Sequence, residues 1–184
     1  GGTHHAFSDR GEAFCLLNDQ AIAAQYLINQ KKCHKILIVD LDVHQGNGNA
    51  EIFQNNADVI TFSMHGQSNY PFRKETSDYD IALPDKTDDT TYLSILQETL
   101  PELLNIHRPD FVFYLAGVDI LGTDKLGKLG CTLEGCKTRD SYVLGLCKSL
   151  GIPVQVSMGG GYSPAIKTII EAHANTYRVA RALY

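Results

Sequence analysis

The chain has 184 residues, of which 43% are hydrophobic and 20% are charged, a composition typical of a folded domain and not of a disordered chain. Its 16 lysines and arginines and its 21 aspartates and glutamates give a net charge of −5. This charge argues against direct binding of nucleic acid or of an anionic membrane surface, because both prefer a basic face. The longest apolar run, residues 111–118, is far short of the roughly 20 residues that cross a bilayer.

Five cysteines are scattered along the chain, and no two of them form a CxxC pair. An extracellular disulfide framework is usually denser and even in number, so we predict free thiols in a reducing compartment, the cytoplasm. The sequence shows no linker and no internal repeat, and we expect residues 1–184 to form a single domain.

The hydrophobic pattern predicts strands that alternate with helices. Short, nearly continuous apolar runs predict buried strands at residues 36–40, 59–64, 111–116 and 152–157. Helices are predicted from the capping residue Asn18 to about residue 28, and over residues 90–105, 133–150 and 164–183. Residues 66–91 are predicted to be a long irregular segment, either a functional loop or a solvent-exposed loop with no functional role. This order predicts an α/β fold in which a parallel sheet is flanked by helices.

Acidic and histidine side chains follow two of the predicted strands, at the sheet edge where open α/β sheets bind ligands. Asp40, Asp42 and His44 alternate with apolar residues, so they point to one face if the strand stays extended. Two buried carboxylates repel each other unless a cation lies between them, and Asp119 after another strand supplies a third ligand. These residues predict a catalytic zinc site with one open position. The alternative is that the aspartates form turns or cap helices.

A run of three glycines, residues 159–161, follows the last predicted strand and precedes Tyr162. Glycine loops often bind phosphate through backbone N–H groups, but neither GxGxxG nor GxxxxGK[ST] occurs here. A phenol beside a metal suits hydrogen-bond donation to a developing oxyanion, and this is the role that we predict for Tyr162.

The chain opens with two glycines and a pair of histidines, His4 and His5. By itself, such a pair is more often an incidental surface feature or the remnant of a tag than part of a catalytic site. The small residues on both sides indicate that the backbone passes through a confined space here. The role of the histidine pair remains open at this point.

Taken together, these motifs resemble the zinc-dependent histone deacetylase family, and the resemblance covers nearly all of the chain. The matching segments are residues 1–6, 13–15, 18–19, 40–48, 116–119, 124–127 and 159–162. Residues 44–48, His-Gln-Gly-Asn-Gly, are most similar to the class IV branch and its bacterial relatives. The resemblance implies an arginase-like three-layer α/β/α fold. Because family members begin well upstream of the His-His motif, it also implies an N-terminally incomplete deacetylase-like domain.

The resemblance implies a role for each residue of the predicted site. Asp42, His44 and Asp119 are expected to bind one zinc ion per chain. The zinc would act as a Lewis acid and would activate the attacking water. Tyr162 is expected to donate a hydrogen bond to the acyl oxygen.

The resemblance also implies how the two histidines work. His5 is expected to take a proton from the attacking water and to pass one to the leaving amine, while His4 assists electrostatically. Asp40 is expected to orient His4. Asn47 stands behind His5, where class I members carry an aspartate and class II members also carry an asparagine.

A narrow apolar tunnel for a lysine-like stem and a monovalent cation are further implications of the resemblance. The tunnel residues are Ala13, Phe14, Tyr70, Leu126 and Gly160, with Phe14 and Tyr70 on opposite walls. A structural potassium ion is expected to bind through Asp40, Asp42, His44, Ser63 and Met64, in part through backbone carbonyls.

The sequence therefore predicts a zinc amidohydrolase that removes acetyl or longer acyl groups from acyl-lysine in a protein or peptide. An acylpolyamine or another small amide is an alternative substrate. A second alternative is an inactive fragment that binds metal and acyl-lysine without turnover. A two-manganese, arginase-like hydrolase shares the expected fold, but its site needs more carboxylate and histidine ligands than this sequence presents.

Overall fold

The computed structural model describes residues 1–184 and shows a parallel sheet between layers of helices. In chain order the elements are α1 (Asp19–Asn29), β1 (Ile36–Asp40), α2 (Asn47–Phe53), β2 (Val59–Gly66), β3 (Tyr79–Leu83), α3 (Asp89–His107), β4 (Phe111–Leu115), α4 (Leu133–Ser149), β5 (Val154–Ser157) and α5 (Ile166–Leu183). The strands lie in the order β3-β2-β1-β4-β5, and every neighbouring pair is parallel. The predicted α/β class is therefore confirmed.

The central strand shows why the sheet is covered on both faces. All five residues of β1 are buried. Leu37 and Val39 belong to the larger hydrophobic core, which α3, α4 and α5 help to form, whereas Ile36 and Ile38 belong to a smaller core under α1. Because successive side chains of a strand point to opposite faces, a run of apolar residues is needed to bury both.

Three helices, α1, α3 and α4, begin at a residue whose side chain caps the helix. The Asn18 side chain accepts a hydrogen bond from the Ala21 N–H at 3.0 Å, as predicted from the sequence. Asp88 and Thr132 cap α3 and α4 in the same way. Each cap satisfies a backbone N–H that has no partner within its helix. None of the five helices combines the length and the apolar character needed to cross a membrane.

Two elements were not predicted. Residues 66–91 are not wholly irregular, because β3 lies within them. This strand lies at the edge of the sheet. Its side chains alternate between exposed positions and partly or fully buried ones. Because Asp80 occupies an exposed position, the strand lacks the continuous apolar run that is typical of a central strand. Helix α2 begins inside the glycine-rich motif, has no side-chain cap, and with 7 residues is too short to show a helical period.

The extended-strand interpretation of the acidic motif was wrong. Strand β1 ends at Asp40, where its register with β2 and β4 also ends. Asp42 and His44 therefore lie in the loop that follows β1 and not on one face of a strand.

His173 on α5 provides a pH-dependent contribution to stability. Its side chain is buried and its Nδ1 has no hydrogen-bond partner. Burial lowers the pKa of His173, and the positive charge of Arg139 acts in the same direction. The unfolded chain binds a proton near pH ~6.5, so the contribution is present above that pH and is lost as the pH falls toward the lowered pKa of the folded state.

The His173→Gln variant is therefore expected to lose less unfolding free energy than the parent chain when the pH is lowered from about 7.5 to about 5.5. Urea unfolding followed by circular dichroism at both pH values measures the difference. Equal losses in the two proteins would contradict the prediction.

Candidate functional site

Three potential metal ligands meet at the carboxyl edge of the sheet. Strands β1 and β4 are parallel neighbours, so the loops that follow them lie side by side and bring Asp42 and His44 next to Asp119. One ligand atom from each residue lies within 4.8 Å of the other two, and all three residues are buried. His44 Nδ1 is 3.0 Å from Asp42 Oδ1 and 3.2 Å from Asp119 Oδ2.

Backbone N–H groups hold the two carboxylates in this arrangement. The N–H of Val43 donates to Asp119 Oδ1 at 3.0 Å, and that of Gly160 donates to Asp42 Oδ2 at 2.7 Å. The second oxygen of Asp119 is buried and has no aligned hydrogen-bond donor. A Cβ at Gly160 would overlap with that same oxygen, so the glycine leaves space beside it. An unpartnered buried carboxylate oxygen beside open space is the arrangement that a metal ion would satisfy.

The charges in this cluster also favour a cation. Burial raises the pKa of Asp119 to about 7, and the negative charge of Asp42 acts in the same direction. Burial disfavours protonated His44, yet the adjacent carboxylates of Asp119 and Asp42 outweigh burial and raise its pKa to about 10. The two carboxylates thus draw positive charge into the site. Two oxygen ligands and one nitrogen ligand suit a divalent metal such as zinc.

Asp40 faces His4 and not the three ligands. Its Oδ2 accepts a hydrogen bond from His4 Nδ1 at 2.7 Å, and its Oδ1 accepts one from the Asp42 N–H at 3.2 Å. Burial disfavours the charged form of His4, but the carboxylate of Asp40 outweighs burial and raises the pKa of His4 to about 9. His4 is therefore a cation at neutral pH, held by a buried carboxylate.

His5 lies beside His4 but has the opposite protonation state. Its ring centroid is 4.1 Å from that of His4, and its Nδ1 is 2.6 Å from Asn47 Oδ1. Burial lowers the pKa of His5 to about 3, and the positive charge of His4 acts in the same direction. His5 is therefore neutral at neutral pH and has a lone pair available, as a general base requires.

Tyr162 lines the same cavity as Asp42 and His44, and its hydroxyl is protonated at neutral pH. Its backbone N–H donates to Asp124 Oδ2 at 2.6 Å, and its ring centroid is 6.5 Å from that of His44. Burial raises the pKa of Tyr162 to about 12, and the negative charges of Asp119 and Asp42 act in the same direction. The phenol is therefore a hydrogen-bond donor at neutral pH.

A cavity of about 560 Å³ leads from the surface to these groups. Its lining contains all five predicted tunnel residues, Ala13, Phe14, Tyr70, Leu126 and Gly160, together with His4, His5, Asp42, His44 and Tyr162. The Phe14 side chain at its mouth is 80% exposed. The structure thus brings the predicted tunnel residues, the histidine pair and the tyrosine to one cavity, which is of the size typical of a small-molecule site.

The side chains of Ser63 and Met64, two of the residues predicted to bind potassium, contact other parts of the structure. Ser63 pairs with Asp40 in the register of β1 and β2, and its hydroxyl is 3.0 Å from His65 Nδ1. The Met64 side chain is buried in the larger core. The potassium site remains a prediction.

Sequence reasoning missed Glu12, Asp124 and Arg139, which contact the predicted site residues or the loops that carry them. Glu12 Oε1 accepts hydrogen bonds from Asn47 Nδ2 at 2.8 Å and from the Tyr70 hydroxyl at 2.5 Å. Both partners are more than 30 residues away along the chain, so no local pattern marks the contact.

The sheet, its flanking helices and the residues at its carboxyl edge define the arginase and deacetylase fold, which solved structures share with nearly all of this chain. The sequence matches the family model for the histone deacetylase domain over residues 1–177. The chain therefore belongs to the histone deacetylase family.

Similar proteins extend beyond the segment that this chain matches. An uncharacterized protein of Picosynechococcus sp. is 48% identical over 184 residues, which are 100% of this chain and 61% of that protein. The crystal structure of an HDAC homolog from Aquifex aeolicus has a TM-score of 0.83 at 25% identity, and the match covers 98% of this chain and 50% of that chain. The acetylpolyamine aminohydrolase from Burkholderia pseudomallei has a TM-score of 0.80 at 28% identity, over 98% and 54% of the two chains.

Proposed function

We propose that this protein is a zinc-dependent amidohydrolase that removes acetyl or longer acyl groups from acylated lysine side chains. One observation carries the proposal. A single cavity is lined by a neutral buried histidine, a protonated tyrosine and two of three convergent metal ligands, Asp42 and His44, and the third ligand, Asp119, lies 3.2 Å from His44. Amide hydrolysis with metal assistance requires these three functions together.

Each group in the cavity has a separate role in the proposed hydrolysis. Zinc held by Asp42, His44 and Asp119 would polarise the acyl carbonyl and increase the acidity of water. His5 accepts the proton of the attacking water at Nε2 and returns a proton to the leaving amine. Tyr162 donates its hydroxyl hydrogen to the acyl oxygen as negative charge develops there.

The shape of the cavity favours a lysine side chain as the acylated amine. The aromatic rings of Phe14 and Tyr70 and the side chain of Leu126 give it apolar walls for a methylene stem. The net charge of −5 favours the approach of lysine-rich protein or peptide substrates.

An acylpolyamine is the second candidate substrate, because a structure named as an acetylpolyamine aminohydrolase shares this fold. Comparing kcat/KM for an acetyl-lysine peptide and for an acetylated polyamine distinguishes the two. A higher value for the peptide supports our proposal, and a higher value for the polyamine favours the alternative.

The cytoplasm is the compartment that we propose for this activity. All five cysteines are free and buried, and free thiols persist in reducing compartments.

The first test of the proposed function is zinc-supplemented hydrolysis of an acetyl-lysine peptide by the chain. We expect turnover that a chelator abolishes and added zinc restores. Tight hydroxamate binding without turnover would instead identify a fragment that holds the ligands without completing the reaction. Two metal ions per chain would favour an arginase-like site over a single zinc ion.

The Tyr162→Phe variant is expected to lower kcat by about a hundredfold, the scale of losing one donor to a developing oxyanion. The peptide KM should change little, because the missing hydrogen bond matters most in the transition state. Steady-state kinetics measure both constants. Tyr26→Phe removes the same hydroxyl from an exposed position on α1 and should leave kcat unchanged. Equal kcat values for the two variants would contradict the role given to Tyr162.

A further inference from the structure

Glu12 connects a wall of the cavity to the buried neutral histidine. Its Oε1 accepts hydrogen bonds from the Tyr70 hydroxyl at 2.5 Å and from Asn47 Nδ2 at 2.8 Å. On its other side, Asn47 Oδ1 lies 2.6 Å from His5 Nδ1. The glutamate is therefore two hydrogen bonds from His5 and contacts none of the three predicted metal ligands.

The direction of these hydrogen bonds follows from what each group can donate. A carboxylate only accepts, so the nitrogen of the Asn47 amide must face Glu12 and its oxygen must face His5. An amide oxygen also only accepts, so the hydrogen of the neutral His5 ring must be on Nδ1. The other ring nitrogen, Nε2, is then left with a free lone pair.

We propose that Glu12 is a positioning residue that fixes the tautomer of His5, acting through the side-chain amide of Asn47. The proposal rests on the proposed function in one respect, because the free lone pair at Nε2 is useful only if His5 acts as the base. An asparagine alone does not set the tautomer, since its amide can turn over and present the nitrogen to His5. The carboxylate of Glu12 removes that second orientation.

Arg10 and Tyr70 support the carboxylate in this role. Arg10 Nη2 is 3.7 Å from Glu12 Oε2, so a positive charge lies beside the carboxylate. Burial and the hydrogen bond to Glu12 raise the pKa of Tyr70 to about 12, so its hydroxyl remains a donor. The Tyr70 ring stands edge-on to the His5 ring, with centroids 5.1 Å apart and an interplanar angle of 85°. The same carboxylate thus orients the base and one wall of the cavity.

A charge exchange between positions 12 and 47 tests the proposal. Glu12→Gln keeps the size of the side chain but lets both amides turn over, so the His5 hydrogen is no longer confined to Nδ1. Asn47→Asp alone places two carboxylates at hydrogen-bond distance, where they repel each other. The double variant Glu12→Gln/Asn47→Asp restores one carboxylate and one amide, and the new aspartate can only accept from His5.

The tautomer of His5 is the first measurement. Two-bond ¹⁵N–¹H correlation spectra of ¹⁵N-histidine-labelled chain distinguish a protonated ring nitrogen from an unprotonated one. We expect the hydrogen on Nδ1 in the parent chain and in the double variant, and a mixture of both tautomers in Glu12→Gln.

Steady-state hydrolysis of an acetyl-lysine peptide is the second measurement. We expect Glu12→Gln to lower kcat by about tenfold with little change in KM, the low end of effects seen when an outer hydrogen-bond partner is removed. Asn47→Asp should be at least as impaired. The double variant should recover most of the parent kcat, which a merely structural role for Glu12 would not produce.

Glu51→Gln is the matched control. The Glu51 carboxylate accepts hydrogen bonds from the N–H and the hydroxyl of Ser8, and its side chain makes no hydrogen bond to the side chain of Asn47. This variant should keep the parent tautomer and the parent kcat. An unchanged His5 tautomer in Glu12→Gln, or a double variant no better than the singles, would overturn the proposal. If the parent chain does not hydrolyse the peptide, the proposed function fails, and the spectra alone decide the role of Glu12.

Discussion

If the chain binds zinc and hydrolyses acyl-lysine as proposed, the Gly160→Ala variant is expected to lose both functions, although the change adds only one methyl group. The new Cβ would lie 2.8 Å from Asp119 Cγ and 3.1 Å from Asp42 Oδ2, and it would overlap with Asp119 Oδ2. Two of the three predicted metal ligands would therefore have to move. A metal ion tolerates little displacement, because its bonds to carboxylate oxygen are about 2.0–2.2 Å long.

The surroundings of Gly160 leave little freedom to absorb the methyl group. The Gly160 N–H donates to Asp42 Oδ2 at 2.7 Å, and its carbonyl accepts from the Val118 N–H at 2.8 Å. The Val43 N–H in turn holds Asp119 Oδ1 at 3.0 Å. Relief of the overlap would break at least one of these bonds, and each of them orients a ligand or the glycine itself.

The measurement is zinc content per chain, by elemental analysis after dialysis, together with peptide turnover. Turnover is expected to fall to that of the chelator-treated parent. Gly145→Ala is the matched control, because a Cβ there meets nothing within 4 Å. Within α4 that change should raise the unfolding free energy by up to about 1 kcal/mol and leave zinc content unchanged. Parent-like zinc content in Gly160→Ala would contradict the prediction.

The sequence was sufficient to predict the parts of this site that depend on local pattern. The apolar runs that form β1, β2, β4 and β5 are local, and so is the acidic motif that follows β1. Parallel strands then bring their carboxyl ends together, and for that reason Asp42 and Asp119 could be placed side by side.

Contacts between distant segments could not be predicted in this way. Local pattern grouped Asp40 with Asp42 and His44, and only the family resemblance implied its contact with His4. This orientation depends on where β1 ends, and that point is set by pairing with β2 and β4. Glu12 and Arg139 reach their partners across long stretches of chain, and the hydrogen bond from Arg139 to the Leu41 carbonyl spans 98 residues. Side-chain hydrogen bonds of this kind have no periodic signature in the sequence.

Removal of the Arg139 side chain is expected to lower the free energy of unfolding strongly. This residue lies on α4 with no exposed surface, and its Nε and Nη2 donate to Asp140 Oδ1 at 2.9 and 2.8 Å. Asp140 also accepts hydrogen bonds from the hydroxyls of Tyr114 and Thr176, at 2.5 and 2.6 Å. Removal of the arginine would leave a buried carboxylate with neutral partners only, which costs about 3–5 kcal/mol of unfolding free energy.

The same guanidinium group also supports the loops that carry the predicted metal ligands. Its Nη1 donates to the carbonyls of Gly117 at 2.6 Å and of Leu41 at 3.2 Å. Leu41 directly precedes Asp42, and Gly117 lies two residues before Asp119. Loss of these bonds should therefore weaken zinc binding as well as the fold.

In urea denaturation, the free energy of unfolding of the Arg139→Met variant is expected to be about 3–5 kcal/mol lower than that of the parent chain. Arg178→Met is the matched control, because it removes an exposed ion pair with Glu171, and such pairs contribute about 1 kcal/mol or less. If Arg139→Met does not fold, Arg139→Lys serves in its place, since it keeps the positive charge but cannot reproduce the forked contacts. This variant should remain folded, yet bind zinc more weakly than the parent. A lysine variant with parent-like stability and zinc affinity would show that charge alone is required at this position, and that the hydrogen bonds to Leu41 and Gly117 do not hold the ligand loops.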